Sequence, residues 1–260
     1  MDRDIRSRRR RAHAVCALLC GALALPASAS ASSGGGSGLT PGSSPISGSQ
    51  TSSSAPPPAA QGGDATVSTG GNGVTLSSNA SAILRKGLSF SGTAPQQFAG
   101  DTIEIERSGH QTGWTWAPTV STTIGSDGSF AAVWQTNHIG RFAIRAVISS
   151  PSVAQTAATT PSMTVTVYRP SRATLYGPGF YGQRTACGQK LRPGTIGLAN
   201  RTLKCGTSVA IYYQGRTLVV PVIDRGPYTN DADWDLTMAT GKALGIEGTA
   251  QINAVSLPIR

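Results

Sequence analysis

Histidine is scarce in this chain: there are three in 260 residues, and none follows His138. A His-based catalytic triad is therefore excluded from the segment after it. A zinc site there is excluded as well, since two thiolates alone do not complete a tetrahedron. Charge is also sparse, at 13% of residues. No stretch carries a convincing helical period, apart from one short candidate near the C-terminus. The apolar run at residues 14–25 is too short to span a bilayer permanently. Cysteine is limited to four positions, two of which, Cys16 and Cys20, lie in that run.

The net charge of +10 is unevenly spread. Residues 1–12 hold six arginines and two aspartates, and without them the balance is +6. An Arg-rich start, an apolar run and the small residues Ala27-Ser28-Ala29 form the order of a secretion signal over residues 1–31. Cys20 raises the alternative of a lipid anchor, but Leu19 stands where a small residue is needed. Export accounts for the basic N-terminus better than nucleic acid does, and nucleic acid is set aside as a partner. The exported chain keeps Cys187 and Cys205, which read as one disulfide in an oxidising compartment.

Residues 32–73 are almost entirely Ser, Gly, Thr, Ala, Pro and Gln. Such a segment buries no core and reads as a flexible tether. Residues 74–168 change character. Thr102–Glu106, Phe130–Trp134, Phe142–Val147 and Met163–Val167 alternate apolar with polar residues, and Ser126-Asp127-Gly128-Ser129 supplies a turn. Short strands at this spacing predict a β-sandwich, which resembles bacterial immunoglobulin-like modules in its Gly-Ser-Asp-Gly-Ser-Phe and Gly-Arg-Phe elements. Trp114, Trp116 and Trp134 are read as packing residues, with a sugar platform as the alternative.

Residues 169–171 read as a joint, and 172–260 as a second domain with ten basic and five acidic residues. Strands are expected over Thr207–Tyr213, Thr217–Ile223 and Gln251–Leu257, with Gln214-Gly215-Arg216 as the hairpin turn. Leu218–Ile223 has no polar side chain, which suits a strand buried on both sides. Pro221 asks for an edge or a bulge there. A short helix is expected over Leu236–Leu244, capped by Asp235 at its start and Gly245 at its end. Asp224 ends the apolar run, which would hold it rigidly at a barrel mouth with a raised pKa suited to a general acid. The competing use is hydrogen bonding to backbone amides or pairing with Arg225. Asp231 and Asp233 read as solvated.

Three motifs stand out. They are Ala173-Thr174-Leu175-Tyr176-Gly177 running to Cys187-Gly188, Leu198-Ala199-Asn200-Arg201-Thr202-Leu203 running to Gly206-Thr207, and Asp224-Arg225-Gly226-Pro227 followed by Asp235-Leu236-Thr237. Their order and spacing resemble the double-psi β-barrel of the rare lipoprotein A (RlpA) family and, more distantly, expansins and family 45 endoglucanases. The resemblance implies an all-β chain, with a six-stranded double-psi barrel and one short helix after the sandwich. It places Cys187 and Cys205 in the disulfide-bearing branch. It implies a secreted protein that acts on peptidoglycan glycan strands, with no cofactor, no metal and no permanent membrane span.

The implied chemistry is lytic transglycosylase cleavage with Asp224 as general acid/base. Tyr176, Tyr181, Gln189, Asn200, Arg201, Arg225, Tyr228, Trp234 and Asp235 would contact substrate, with Phe180 beside them unless it packs in the core. The chain departs from the pattern at two places. Gln189 and Asn200 stand where the family carries Glu and His, and neither amide relays a proton. A non-catalytic, expansin-like grip on wall glycan therefore stays open beside the enzyme. The sequence names no wall-enzyme or divisome partner.

Overall fold

The computed structural model describes residues 61–62, 64–149, 156–228 and 231–258. The signal read over 1–31 and the tether up to residue 60 lie outside the described residues. The tether reading fails at its C-terminal end, where β1 (Gln61–Gly62) and β2 (Thr66–Gly71) are strands. Val67 packs on the core of the first half, which gives this Ser- and Gly-rich stretch an apolar anchor.

The chain continues through β3 (Val74–Asn79), β4 (Ser81–Ile83), β5 (Gly87–Thr93), β6 (Thr102–Ser108), β7 (Ala117–Thr123), β8 (Ser129–Gln135), β9 (Gly140–Ser149) and β10 (Thr156–Thr159). One sheet has the antiparallel order β2-β3-β5-β8. The other is built around β6, β7 and β9, with β10 on β9. Their alternating apolar residues meet in one core, with Leu76, Phe90 and Trp134 from the first sheet and Ile103, Phe142 and Ile144 from the second. Trp134 is 3% exposed and lies edge-on to Phe142, as the packing reading expected. Trp114 and Trp116 stay partly exposed, and the Arg145 guanidinium covers Trp116 at 4.2 Å. The expected turn forms because the Asp127 carboxylate accepts from both the amide and the hydroxyl of Ser129.

β11 (Met163–Tyr176) corrects the expected joint. Residues 169–171 are the middle of one 14-residue strand. Its first part pairs with β9, and its second part pairs with β16 (Ala250–Leu257). Between β11 and β16 lie β12 (Leu198–Ala199), β13 (Ser208–Tyr213), β14 (Arg216–Asp224), β15 (Trp234–Thr237) and α1 (Met238–Leu244). The order β15-β12-β14-β13-β16-β11 closes through a β11–β15 pairing, giving a six-stranded barrel. The β11–β15 and β12–β14 pairs are parallel, and the other four are antiparallel.

The hairpin is tighter than expected. Tyr213 pairs with Arg216, so the loop is Gln214-Gly215 alone, with φ of 45° and 77° as a two-residue turn requires. β14 is not buried on both sides: Leu218, Val220 and Val222 enter the core, while Val219 is 43% exposed. Pro221 is tolerated because the Val222 amide donates to Thr207, which turns the Pro221 nitrogen away from β13. On that other side, β12 begins its pairing only at Val222. The helix starts later than expected. Its N-cap is Thr237, whose hydroxyl accepts from the Thr240 amide, so Asp235 is not a cap. Gly245 ends the helix in a left-handed conformation, as expected.

Candidate active site

The residues that matter alternate with core residues along four neighbouring strands. Ala173, Leu198, Val222, Trp234 and Leu236 point into the barrel core. Their strand neighbours Thr174, Ala199 and Asp235 therefore face outward. Thr174 is in register with Asp235, and Asp235 with Ala199.

Asp224 reaches the same face through an irregularity. Leu198 is opposite Val222, but Ala199 is opposite Asp224, so Ile223 is an extra residue. By simple alternation from Val222, Asp224 would point into the core. The bulge at Ile223 brings it onto the outer face beside Ala199. Gly197 makes room for this: a Cβ there would lie 2.6 Å from the Ile223 Cδ1. Asp224 is thus on the outer face of the barrel wall, as the last residue of β14.

The result is a row, Thr174–Asp235–Ala199–Asp224, on the wall of one cavity of about 590 Å³. The two aspartates are two strands apart, which sets their Cα atoms about 10 Å from each other. Alanine between them leaves the intervening space open. Tyr176, Phe180, Arg225 and Tyr228 line the rest, with Phe180 55% and Tyr228 75% exposed. Phe180 is therefore not a core residue.

Each polar group has a defined setting. Asp224 Oδ1 accepts from the Ala186 amide at 2.9 Å and the Arg225 amide at 2.8 Å. Oδ2 has no hydrogen-bond partner among the described residues. The Arg225 side chain does not pair with the carboxylate. It donates to the Asn200 and Asp224 carbonyls and to Cys205 Sγ. Asp235 accepts from the Thr174 hydroxyl at 2.7 Å. Burial raises its pKa, the Thr174 bond works against that rise, and the Asp224 charge adds to it. The Tyr176 hydroxyl is buried with no hydrogen-bond partner among the described residues. Burial first, then the charges of Asp224 and Asp235, push its pKa up, so it stays a proton donor.

Tyr176, Asp224, Arg225, Tyr228 and Asp235 are thus brought together, and five other candidates are not. Asn200 is consumed as a loop staple: its Oδ1 accepts from the Thr202 and Leu203 amides, and its Nδ2 donates to the Asp233 carbonyl. Arg201 donates to the Pro227 carbonyl at 2.7 Å. Trp234 is 6% exposed and belongs to the core, so it offers no stacking face. Gln189 is exposed on the loop at 184–190 and does not line the cavity. Tyr181 packs beside Gly177. Asp233 is not simply solvated, since it accepts from the Arg172 amide and lies 3.6 Å from Arg169.

Thr174 and Ala199 were missed as site residues. The signal for both was their alternation with the core positions Ala173 and Leu198. The Cys187–Cys205 disulfide forms as expected, with a Cα–Cα distance of 5.7 Å. Among the described residues, no three His, Cys, Asp or Glu side chains gather as a metal site would require. No helix among them is long and apolar enough to cross a membrane.

Comparison with known proteins finds matches over the barrel, about a third of the chain. The family described as lytic transglycolase matches residues 171–256. A Synechocystis protein named probable endolytic peptidoglycan transglycosylase RlpA is 38% identical over 89 residues, covering 34% of this chain and 27% of that protein. The Pseudomonas aeruginosa protein named endolytic peptidoglycan transglycosylase RlpA is 36% identical over 84 residues, covering 31% of this chain and 25% of its own. The chain thus spans about a quarter of the length of these curated relatives. Among solved structures, a Streptomyces papain inhibitor is 25% identical, covering 35% of this chain and 94% of its own, with a TM-score of 0.29.

Proposed function

We propose, from the premise that residues 171–256 are an RlpA-like double-psi β-barrel, that the protein cleaves peptidoglycan glycan strands as a lytic transglycosylase. Asp224 and Asp235 serve as its acid/base pair. The observation that carries this reading is the register row that sets the two carboxyls on one cavity wall with only Ala199 between them.

Two carboxyls in different settings divide the chemistry. Asp235, whose pKa is raised by burial, protonates the glycosidic oxygen. Asp224, fixed through Oδ1, takes the proton of the sugar's own C6 hydroxyl through its other oxygen as that hydroxyl attacks the anomeric carbon. The glycosidic bond breaks and a 1,6-anhydro ring forms, with no water consumed. Tyr176 donates to a sugar oxygen. Tyr228 and Phe180 offer flat faces on the rim. The N-terminal sequence and the disulfide support a location outside the cytoplasm, at the cell wall.

A second reading has one observation in its favour. Gln189 and Asn200 replace the family's Glu and His, and neither reaches the cavity, so the barrel would grip glycan without cutting it. Incubating the full chain with purified peptidoglycan and weighing the released muropeptides separates the two. Anhydro-ended products that vanish in Asp224→Asn support cleavage. Retention on insoluble wall with no soluble product supports the grip. If neither soluble product nor retention on the wall is seen, the wall assignment is wrong.

A further inference from the structure

The long segment between β11 and β12 is tied at its end through Gly197 to Thr237 and Thr240, supplies a bond to Asp224, and is elsewhere folded largely on itself. Around residues 184–190 the Thr185 amide donates to the Gln189 carbonyl, the Gly188 amide to the Thr185 carbonyl, and the Arg184 side chain to the Gly188 carbonyl. Its ties to the end of β14 are few. They are the Ala186 amide on Asp224 Oδ1, a 3.3 Å bond from the Cys187 amide to the Ile223 carbonyl, a 3.8 Å approach of Cys187 Sγ to the Val222 carbonyl, and the disulfide to Cys205.

Both donors to Asp224 Oδ1 stand next to that disulfide. Ala186 precedes Cys187 in the chain. Arg225, whose amide is the second donor, reaches Cys205 Sγ through its guanidinium at 3.4 Å. The Cys205 side is itself moored to the same strand, through the Gly206 amide on the Val222 carbonyl. Cys205 is exposed and Cys187 half-buried, so a small thiol can reach the bond.

We propose that Cys187 and Cys205 are positioning residues for Asp224, and that opening their disulfide switches the carboxylate out of its working orientation while the barrel stays folded. This rests on the reading of Asp224 as catalytic. The switching step is thiol–disulfide exchange with a dithiol. One thiolate of the dithiol attacks a cysteine sulfur and breaks the S–S bond. The second thiolate then closes the dithiol into a cyclic disulfide. Two electrons and two protons pass to the protein, leaving thiols at Cys187 and Cys205. The loop then drifts on the few weak ties that remain, Ala186 leaves Oδ1, and the side chain is free to rotate.

The test compares the full chain oxidised, reduced with dithiothreitol, and as the Cys187→Ser/Cys205→Ser double variant, at a temperature where all three are folded. Two quantities are read: residue-resolved hydrogen exchange without substrate, and kcat and KM on peptidoglycan. The expected result is lost protection at the Ala186 amide, retained protection at Val209, Ile211 and Val220, kcat lower by about tenfold or more, and KM within about twofold. Ile211→Val, which loosens the core without touching the loop, keeps wild-type kcat and Ala186 protection, which separates positioning from general stability. The proposal is overturned if Ala186 stays protected on reduction, or if it loses protection while kcat holds. Should the oxidised chain cleave nothing, the functional reading fails, and the exchange data alone decide the positioning claim.

Discussion

Asp235 shows how one residue's role depends on what lies beside it. Beside Leu-Thr and a helix it reads as a cap, and the register with Thr174 and Ala199 makes it a wall carboxyl instead. Its folded pKa is raised, chiefly by burial. The folded state therefore holds this proton more tightly than the unfolded chain does. The associated stability is present below the unfolded value of about 3.9 and is lost as pH rises through the folded one. Asp235→Asn is accordingly expected to melt higher than wild type near neutrality, with the gain vanishing at low pH, while muropeptide release collapses. Melting curves at pH 3 and pH 7.5, set beside product yields, check this. An unchanged product yield would remove Asp235 from the pair. Asp224 was legible as a candidate, because an Asp ending an apolar run is visible in sequence. Bonding to backbone amides was legible as its competing use, but Ala186 as a donor was not, since it comes from a loop 38 positions away.

Most strands were legible because period-two alternation reports directly on which face is buried. The helix boundary was not, because Thr237 is both the last residue of β15 and the N-cap of α1. Thr237→Ala removes the hydroxyl that accepts from the Thr240 amide, and should cost about 1 kcal/mol in denaturant unfolding. The bulge at Ile223 was also hidden, since it exists only as a mismatch between β12 and β14. It makes a sharper prediction. Gly197→Ala drives a Cβ into Ile223 and should cost about 1–3 kcal/mol together with most of the activity. Adding Ile223→Val removes the Cδ1 atom that lies nearest that Cβ and should restore part of both. Absence of any rescue in unfolding and product assays would mean that the bulge is not the coupling.

At the scale of the molecule, the sequence suggested two bodies on a joint, and the structure has one strand running through both. Pro170 hid this, because a proline beside Arg and Ser reads as a break, yet it pairs with Asn253. Tyr168 on β11 packs with Ala210 and Val255 of the barrel and lies near Tyr212, which in turn donates to Asp64. A barrel starting at residue 172 loses the Arg169–Ser171 pairing with β16 and should melt below one starting at 163, as calorimetry would show. The disulfide closes an 18-residue separation, contributing about 3 kcal/mol on the chain-entropy account. The claim on which the rest depends is that Asp224 and Asp235 act as one unit on wall glycan. The direct measurement is kcat for anhydro-muropeptide release by the full chain, by Asp224→Asn, by Asp235→Asn and by the double variant. Residues that act together give a double variant no slower than the slower single, and that is the expected result. Full activity in either single variant, or a double variant slowed by the product of both effects, would contradict it.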